Sequence, residues 1–170
     1  PQAETRSSVA AAQAVTNAAG VVESSRWPHV GSDLKPEMQA TFGALANGLR
    51  FVILPNTEPP GRASLRLYID AGSLHEAEDQ RGLAHFLEHM AFNGTKNFPA
   101  GQMVEYFQRL GMAFGADTNA HTSFRETVYK LELPPGPSGG APDPATLLDG
   151  LKMLRDVGDG MLIAAPEVEK

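Results

Sequence analysis

The residues His85, Glu88 and His89 have the types and spacing best suited to chemistry in this sequence. They lie within HFLEHMAFNGT, residues 85–95, where two imidazoles and one carboxylate fall inside five positions. One helical turn separates His85 from His89, so their rings can reach a common point with Glu88 beside them. Neutral imidazoles bind zinc, and a neighbouring carboxylate can act as a general base. The trio therefore predicts a zinc site that activates water.

The same motif also permits a plainer interpretation. Two histidines four positions apart with a glutamate between them arise by chance and commonly lie in solvent. The metal site is favoured because four apolar residues recur at helical spacing and predict a core-facing stripe on the opposite side of the helix. The helix is predicted over 83–92, and the stripe consists of Leu83, Phe86, Leu87 and Met90.

Strands and helices must position this motif, and they follow one another without a strict βαβ order. Apolar runs on both sides of Asn47-Gly48 predict a hairpin. Alternating apolar and polar residues predict half-buried strands over 63–73 and 126–134. Further helices are predicted over 101–111, from Asp143 onward, and in APEVEK. We predict an α+β fold, a two-layer sheet with helices packed on one face.

Composition restricts the class of protein. The 170 residues carry a formal charge of -6, and an acidic protein is not expected to bind nucleic acid. No apolar run approaches the roughly 20 residues of a membrane helix, so no membrane partner is expected. The sequence contains no cysteine, so any zinc must be held by histidine and carboxylate.

The chain is predicted to have two parts. Residues 1–35 show no sustained period and predict an extended N-terminal arm. Residues 36–170 predict the domain that carries the zinc motif, incomplete at its C-terminal end. Because the chain starts at Pro1 with a stretch rich in Ala, Ser and Thr, we predict a periplasmic or otherwise exported protein, with a cytoplasmic location as the alternative.

Blocks of this sequence resemble, in order, the N-terminal domain of the pitrilysin/insulinase family of zinc metallopeptidases, whose motif is H-x-x-E-H. The resemblance covers residues 40–170 and is carried by ANGLRFVILPN, RASLRLYIDAGSLHE, DQRGLAHFLEHM and GADTNAHTSFRETVYKLELP. It implies that His85 and His89 bind zinc and that Glu88 assists attack of zinc-bound water on the scissile amide. The implied function is a zinc-dependent endopeptidase that cleaves peptides or unfolded polypeptides. Members of the family enclose the peptide between two similar halves, like a clam shell. The missing part of this enclosure would be supplied by the rest of the polypeptide or by a second chain.

The resemblance also implies a place for the substrate. In the family, the strand matching GADTNAHTSF is a sheet edge that pairs with the substrate backbone, and Asn119 and Ala120 occupy the position near the scissile bond. Such an edge binds an extended peptide with little preference for its sequence. The alternative for Asn119 is a turn or strand-end residue that bonds its own backbone. His121 is interpreted as a strand residue near the cleft and not as a ligand.

The third zinc ligand is implied to be a glutamate on a later helix that EVEK begins, and we expect it beyond Lys170. Glu167 and Glu169 are the nearest carboxylates and are interpreted as solvated residues of a first helical turn. Other available carboxylates are Glu105, Glu126 and Glu132; strand alternation puts Glu132 opposite Leu131 and Leu133, and nothing in the sequence singles out the other two. We therefore expect the N-terminal portion of a longer peptidase, inactive by itself.

Two other functions remain open. The chain could be a non-catalytic relative that serves as a structural or peptide-binding partner subunit. Such copies tend to lose a motif residue, whereas all three stand here. It could also be a binding module whose edge strand captures peptides without cutting them, which should carry no stoichiometric zinc.

Overall fold

A computed structural model describes residues 21–22 and 27–169, so most of the arm predicted over 1–35 lies outside the described residues. Two short 3₁₀ turns, Ser73–His75 and Glu78–Gln80, precede the first helix. The strands are β1 (Val21–Val22), β2 (Thr41–Leu45), β3 (Arg50–Ile53), β4 (Ala63–Ile69), β5 (Thr118–Thr122) and β6 (Thr127–Leu133). The helices are α1 (Leu83–Met90), α2 (Gln102–Arg109), α3 (Pro144–Asp159) and α4 (Ala165–Val168).

The chain divides into two units, Pro1–Asn56 and Thr57–Lys170. The first unit contains an antiparallel sheet in the order β1-β2-β3. The predicted hairpin at Asn47-Gly48 is confirmed, since β2 and β3 pair across it. Gly48 has φ +90°, which side chains disfavour, and the Asn47 side chain accepts a hydrogen bond from Leu49 N at 3.1 Å. The turn is therefore specified by its own residues.

The second unit contains an antiparallel sheet in the order β4-β6-β5, so β6 is central and β5 lies at an edge. Alternation along β6 is confirmed: every second residue is buried and those between are half-buried. The inward residues of β6 pack with the buried residues of α2 and α3, which places both helices on one face. The predicted α+β class with helices on one face of the sheet is thus confirmed. None of the helices in the described ranges is long and apolar enough to cross a lipid bilayer.

Helix α3 begins where the sequence predicts, because Asp143 accepts a hydrogen bond from Ala145 N at 2.8 Å and Pro144 follows it. Its buried face carries Leu154 together with Gly150. Leu151 is 49% exposed, whereas Gly150 is buried so tightly that an added Cβ would lie 3.0 Å from Leu65 Cδ1. A glycine at this position lets the helix approach the sheet closely.

The apolar stripe predicted along α1 is only partly buried. Met90 is 2% exposed and Phe86 is half-buried, but Leu83 and Leu87 are 46% and 36% exposed. The two leucines border a cavity of about 270 Å³ that Tyr129 also lines. Periodicity shows which residues share a helix face, but it does not show how much of that face neighbouring elements cover.

A buried carboxylate joins α3 to the segment that follows α1. Asp156 is 1% exposed and accepts hydrogen bonds from the Thr95 hydroxyl at 2.7 Å and from the backbone and side-chain N–H groups of Asn97, both at 2.8 Å. Burial by itself would raise the pKa of Asp156. The hydrogen bonds from Thr95 and Asn97 outweigh it, so the pKa lies below its ordinary value.

We expect Asp156→Asn to lower the free energy of unfolding by about 2–4 kcal/mol, because an amide removes the charge and presents an N–H group to three donors. A carboxylate with a lowered folded pKa stabilises fully above its ordinary pKa of about 3.9 and loses that effect as pH falls through the folded value. Thermal melts of the two proteins should therefore differ more at pH 7 than at pH 3.

A matched control is Asp159→Asn on the same helix. Asp159 is 56% exposed and lies 3.6 Å from Arg155, an exposed pair that contributes little. Its replacement should change stability by less than about 0.5 kcal/mol. Equal melting curves for Asp156→Asn and the unchanged protein would show that the buried cluster does not stabilise the fold.

Candidate metal centre

Helix α1 carries the motif, and Glu76 holds its first turn. The Glu76 carboxylate accepts hydrogen bonds from Ala84 N and from Gly82 N, both at 2.8 Å. These two bonds hold the pKa of Glu76 below its ordinary value. Gly82 precedes the helix with φ +91° and offers no side-chain cap of its own. Glu76 thus supplies the acceptor that the helix start needs.

The chain after α1 is anchored to the end of α3. Ala91, next to Met90, is completely buried. Thr95 forms an isolated β-bridge with Met161, and Leu162 N donates to Gly94 O at 3.1 Å. With the Asp156 cluster, these bonds fix the direction in which α1 ends. Both ends of the motif helix are therefore held by residues distant in sequence.

His85 and His89 converge as their spacing predicts. Their Nε2 atoms lie 3.1 Å apart, and both side chains are exposed. A zinc ion with Zn–N distances near 2.0–2.1 Å and tetrahedral angles would separate two ligating nitrogens by about 3.3 Å. The observed separation is close to this value. The donor pair therefore fits a shared metal ion.

Glu88 does not point towards the same spot in solvent but lies half-buried against the sheet. Its Oε2 accepts a hydrogen bond from the Thr122 hydroxyl of β5 at 2.7 Å. Burial, and next the negative charge of Glu88, raise the pKa of Tyr129 to about 12, so this neighbour remains a neutral phenol. Glu88 thus precedes His89 directly on α1, and its carboxylate is held by β5.

A third ligand is not found in the described part of the chain, 21–22 and 27–169, where no three metal-binding side chains cluster. Two of the carboxylates that the sequence left open have other partners. Glu132 pairs with Arg66, and Glu126 lies 3.6 Å from His121. Glu105 is exposed on α2, and Glu169 is exposed beyond α4. The expected position of the ligand after Lys170 stays a prediction.

The strand with Asn119 and Ala120 is an edge, as expected, because β5 pairs only with β6 among the described strands. In an antiparallel pair, backbone groups point alternately to the partner and away from it. Ser123 N donates to Glu126 O at 2.8 Å, so alternate residues back to Asn119 face β6. The N–H and C=O groups of Ala120 and Thr122 consequently point to the free edge.

The two predicted substrate residues lie differently. Ala120 is half-buried on the face that also carries Thr122, whereas Asn119 is exposed on the opposite face with His121. The Asn119 Oδ1 accepts a hydrogen bond from Ala120 N at 2.9 Å. Asn119 therefore makes the local backbone bond that was its alternative interpretation, and its role towards a substrate stays a prediction.

Two residues that shape this site were missed from the sequence. Glu76 was overlooked because a cap normally lies next to its helix, whereas this one lies six residues before Gly82. Thr122 was overlooked because its contact with Glu88 spans 34 positions. Its one local signal is alternation, which places it two residues after Ala120 on the same face.

Comparison with known proteins agrees with this geometry. The probable zinc protease PqqL of Haemophilus influenzae is 53% identical over 106 residues, which cover 62% of this chain and 11% of the relative. The probable zinc protease PqqL of Escherichia coli is 44% identical over 105 residues, again 62% of this chain and 11% of the relative. The chain thus spans about a tenth of the length of these curated relatives.

A solved structure shares the fold. The first half of the periplasmic protease PqqL from Escherichia coli superposes with a TM-score of 0.73 at 35% identity, covering 80% of this chain and 28% of that one. Residues 51–143 match the insulinase family, peptidase family M16, which exceeds half of the chain. Together with the H-x-x-E-H geometry of α1, these matches show that the chain belongs to the insulinase family of peptidases, M16.

Proposed function

We propose that this chain bears the metal-binding and catalytic part of a zinc-dependent endopeptidase that cleaves peptides or unfolded polypeptides. The observation that carries the proposal is the convergence of the His85 and His89 Nε2 atoms to 3.1 Å on the helix that also carries Glu88. Relatives named probable zinc proteases support zinc as the metal. The chain covers a small share of them, so the activity is proposed for the whole protein.

In this proposal His85 and His89 hold the zinc ion through Nε2. When bound, zinc would supply Lewis acidity, lowering the pKa of water from about 15.7 to near 7 and polarising a carbonyl. The third ligand would come from a carboxylate outside the described residues, since no cluster of three metal-binding side chains is present within 21–22 and 27–169. Two imidazoles by themselves should bind zinc weakly.

Glu88 is proposed as the general base. Its Oε2 is bonded to Thr122, which leaves Oε1 to take the proton from the attacking water. The same carboxyl group then delivers that proton to the nitrogen of the leaving amine. The new C–O bond forms first, and the amide C–N bond breaks once the nitrogen has taken the proton, so the water is consumed and no other reactant is required.

The substrate is proposed to lie along the free edge of β5. The outward N–H and C=O groups of Ala120 and Thr122 can pair with an extended peptide, which binds backbone and leaves side-chain choice broad. Asn119 would contribute near the scissile bond after its Oδ1 releases Ala120 N. An unfolded polypeptide offers extended segments to this edge more readily than a folded protein does, and this favours unfolded substrates.

The remaining polypeptide or a second chain would complete the enclosure around the substrate. Export to the periplasm is proposed because a solved relative is described as a periplasmic protease. The division into an arm over 1–35 and a motif-bearing domain over 36–170 also stays a proposal.

The function is tested with the full-length protein that contains this chain and an unstructured fluorogenic peptide. Cleavage should require zinc, stop on addition of a chelator and return when zinc is restored. Stoichiometric zinc without any cleavage would contradict catalysis and favour a non-catalytic partner subunit. A protein that remains metal-free after exposure to zinc would contradict the metal site itself.

A matched peptide tests the edge-strand part of the proposal. N-methylation of the amides beside the scissile bond removes hydrogen-bond donors and keeps the side chains. We expect kcat/KM to fall by about 2- to 13-fold for each essential backbone bond lost, since such a bond contributes roughly 0.5–1.5 kcal/mol. Equal cleavage of both peptides would show that β5 does not pair with the substrate.

A further inference from the structure

Thr122 makes a side-chain contact that its place on an edge strand does not require. It is half-buried on the inner face of β5, and its hydroxyl lies 2.7 Å from Glu88 Oε2. An ionised carboxylate can only accept hydrogen bonds, so the Thr122 hydroxyl is the donor. A hydrogen bond to a charged acceptor is about twice as strong as one between neutral groups. The contact therefore restricts where the Glu88 carboxylate lies.

The neighbouring hydroxyl leaves the Thr122 hydrogen available for this bond. Thr127 donates its single hydroxyl hydrogen to Ala71 O at 3.0 Å, and its oxygen lies 3.5 Å from the Thr122 oxygen. The Thr127 oxygen could compete only as an acceptor, and at 3.5 Å it lies much farther from the Thr122 hydroxyl than Glu88 Oε2 does at 2.7 Å. Thr127 is buried, so this arrangement is held within the sheet.

The backbone of Thr122 serves a second purpose. Alternation along β5 directs its N–H and C=O groups to the free edge, where the proposed function places the substrate. One residue thus contacts the carboxylate through its side chain and offers its main chain to the peptide. Thr122 by itself then sets the distance between the bound peptide and the Glu88 carboxylate.

We propose that Thr122 is a positioning residue that holds the Glu88 carboxylate in register with a peptide bound on β5. This inference rests on the proposed function and adds to it a residue that the H-x-x-E-H motif does not contain. The Thr122 side chain acts on the reaction only through Glu88, while its main chain is offered to the peptide.

The test compares Thr122→Val, which keeps the shape and removes the hydroxyl, with Thr122→Ser, which keeps the hydroxyl. In the full-length zinc-loaded protein, Thr122→Val should lower kcat by about 10- to 100-fold, the cost of misplacing a catalytic group by about 1 Å. KM should stay within twofold because the backbone edge is unchanged, and zinc content should not change. Thr122→Ser should restore most of the activity.

Thr118→Val is the matched control. Thr118 lies on the same strand and the same face, is 4% exposed, and its hydroxyl has no hydrogen-bond partner among the described residues. Removing that hydroxyl should leave kcat, KM and zinc content unchanged. An equal loss of activity in Thr118→Val and Thr122→Val would show that strand packing is responsible, and would overturn the positioning role.

A crystal structure of the zinc-loaded Thr122→Val protein gives a readout independent of turnover. The Glu88 carboxylate should leave its position beside β5 while the histidine pair stays in place. An unmoved Glu88 would overturn the inference, whatever the activity. If the protein without substitutions bound no zinc and cleaved no peptide, the proposed function would be refuted. If Thr122→Val kept an unaltered kcat, only the role of Thr122 would be refuted.

Discussion

Replacing Glu88 with glutamine should lower kcat for peptide cleavage by about 10²–10⁴-fold while zinc stays bound. Glutamine cannot accept the proton of the attacking water. Its side-chain carbonyl can still accept the hydrogen bond from Thr122, so the group should remain near its present position. Activity assays with a flexible peptide, together with zinc analysis of the same preparation, measure both effects.

Glu105→Gln is the control for this experiment. Glu105 is exposed on α2, so its replacement makes the same chemical change on a helix other than the motif helix. It should leave kcat and zinc content unchanged. If Glu88→Gln retained turnover close to that of the unchanged protein, another group would have to act as the base.

Replacing His85 or His89 with alanine should remove the metal from the purified protein. Each ring supplies one of the two nitrogens that lie 3.1 Å apart, so either replacement leaves the ion one imidazole and the proposed carboxylate ligand. Removing a residue that only hydrogen-bonds to a zinc ligand lowers the zinc affinity by about 10- to 100-fold. Removing a ligand should lower it at least as much. Zinc per protein after dialysis measures the effect. Since both side chains are exposed, the thermal melts of the metal-free proteins should change little.

His121→Ala is the matched control for the histidine pair. His121 is exposed on the face of β5 opposite Thr122 and lies 3.6 Å from Glu126. Its removal should leave the zinc content unaltered. Unchanged zinc in His85→Ala or His89→Ala would refute the assignment of these ligands, and zinc loss in His121→Ala would place the site elsewhere.

Local features of this fold could be predicted well because their causes are local. The Asn47-Gly48 hairpin follows from a turn conformation that glycine adopts readily, and the alternation of β6 follows from the pleat of a strand with one buried face. The start of α3 follows from the Asp143 cap. The meeting of His85 and His89 belongs to the same class, since the helical turn that joins them spans four residues.

Features that depend on neighbouring elements could not be predicted in this way. The exposure of Leu83 and Leu87 depends on how much of α1 the sheet covers. The burial of Asp156 on α3 depends on donors from Thr95 and Asn97, about 60 positions away. A carboxylate on a helix is otherwise expected in solvent, because burying an unpaired charge is costly.

The sequence by itself determined the α+β class, the membership of the motif in a family of zinc peptidases, and the convergence of two imidazoles on one helical turn. Only the tertiary structure decided that Glu76 caps the motif helix and that Thr122 holds the Glu88 carboxylate. The reason is physical: a helical turn brings His85 and His89 together by backbone geometry, whereas Glu88 meets β5 only after the helix has packed on the sheet.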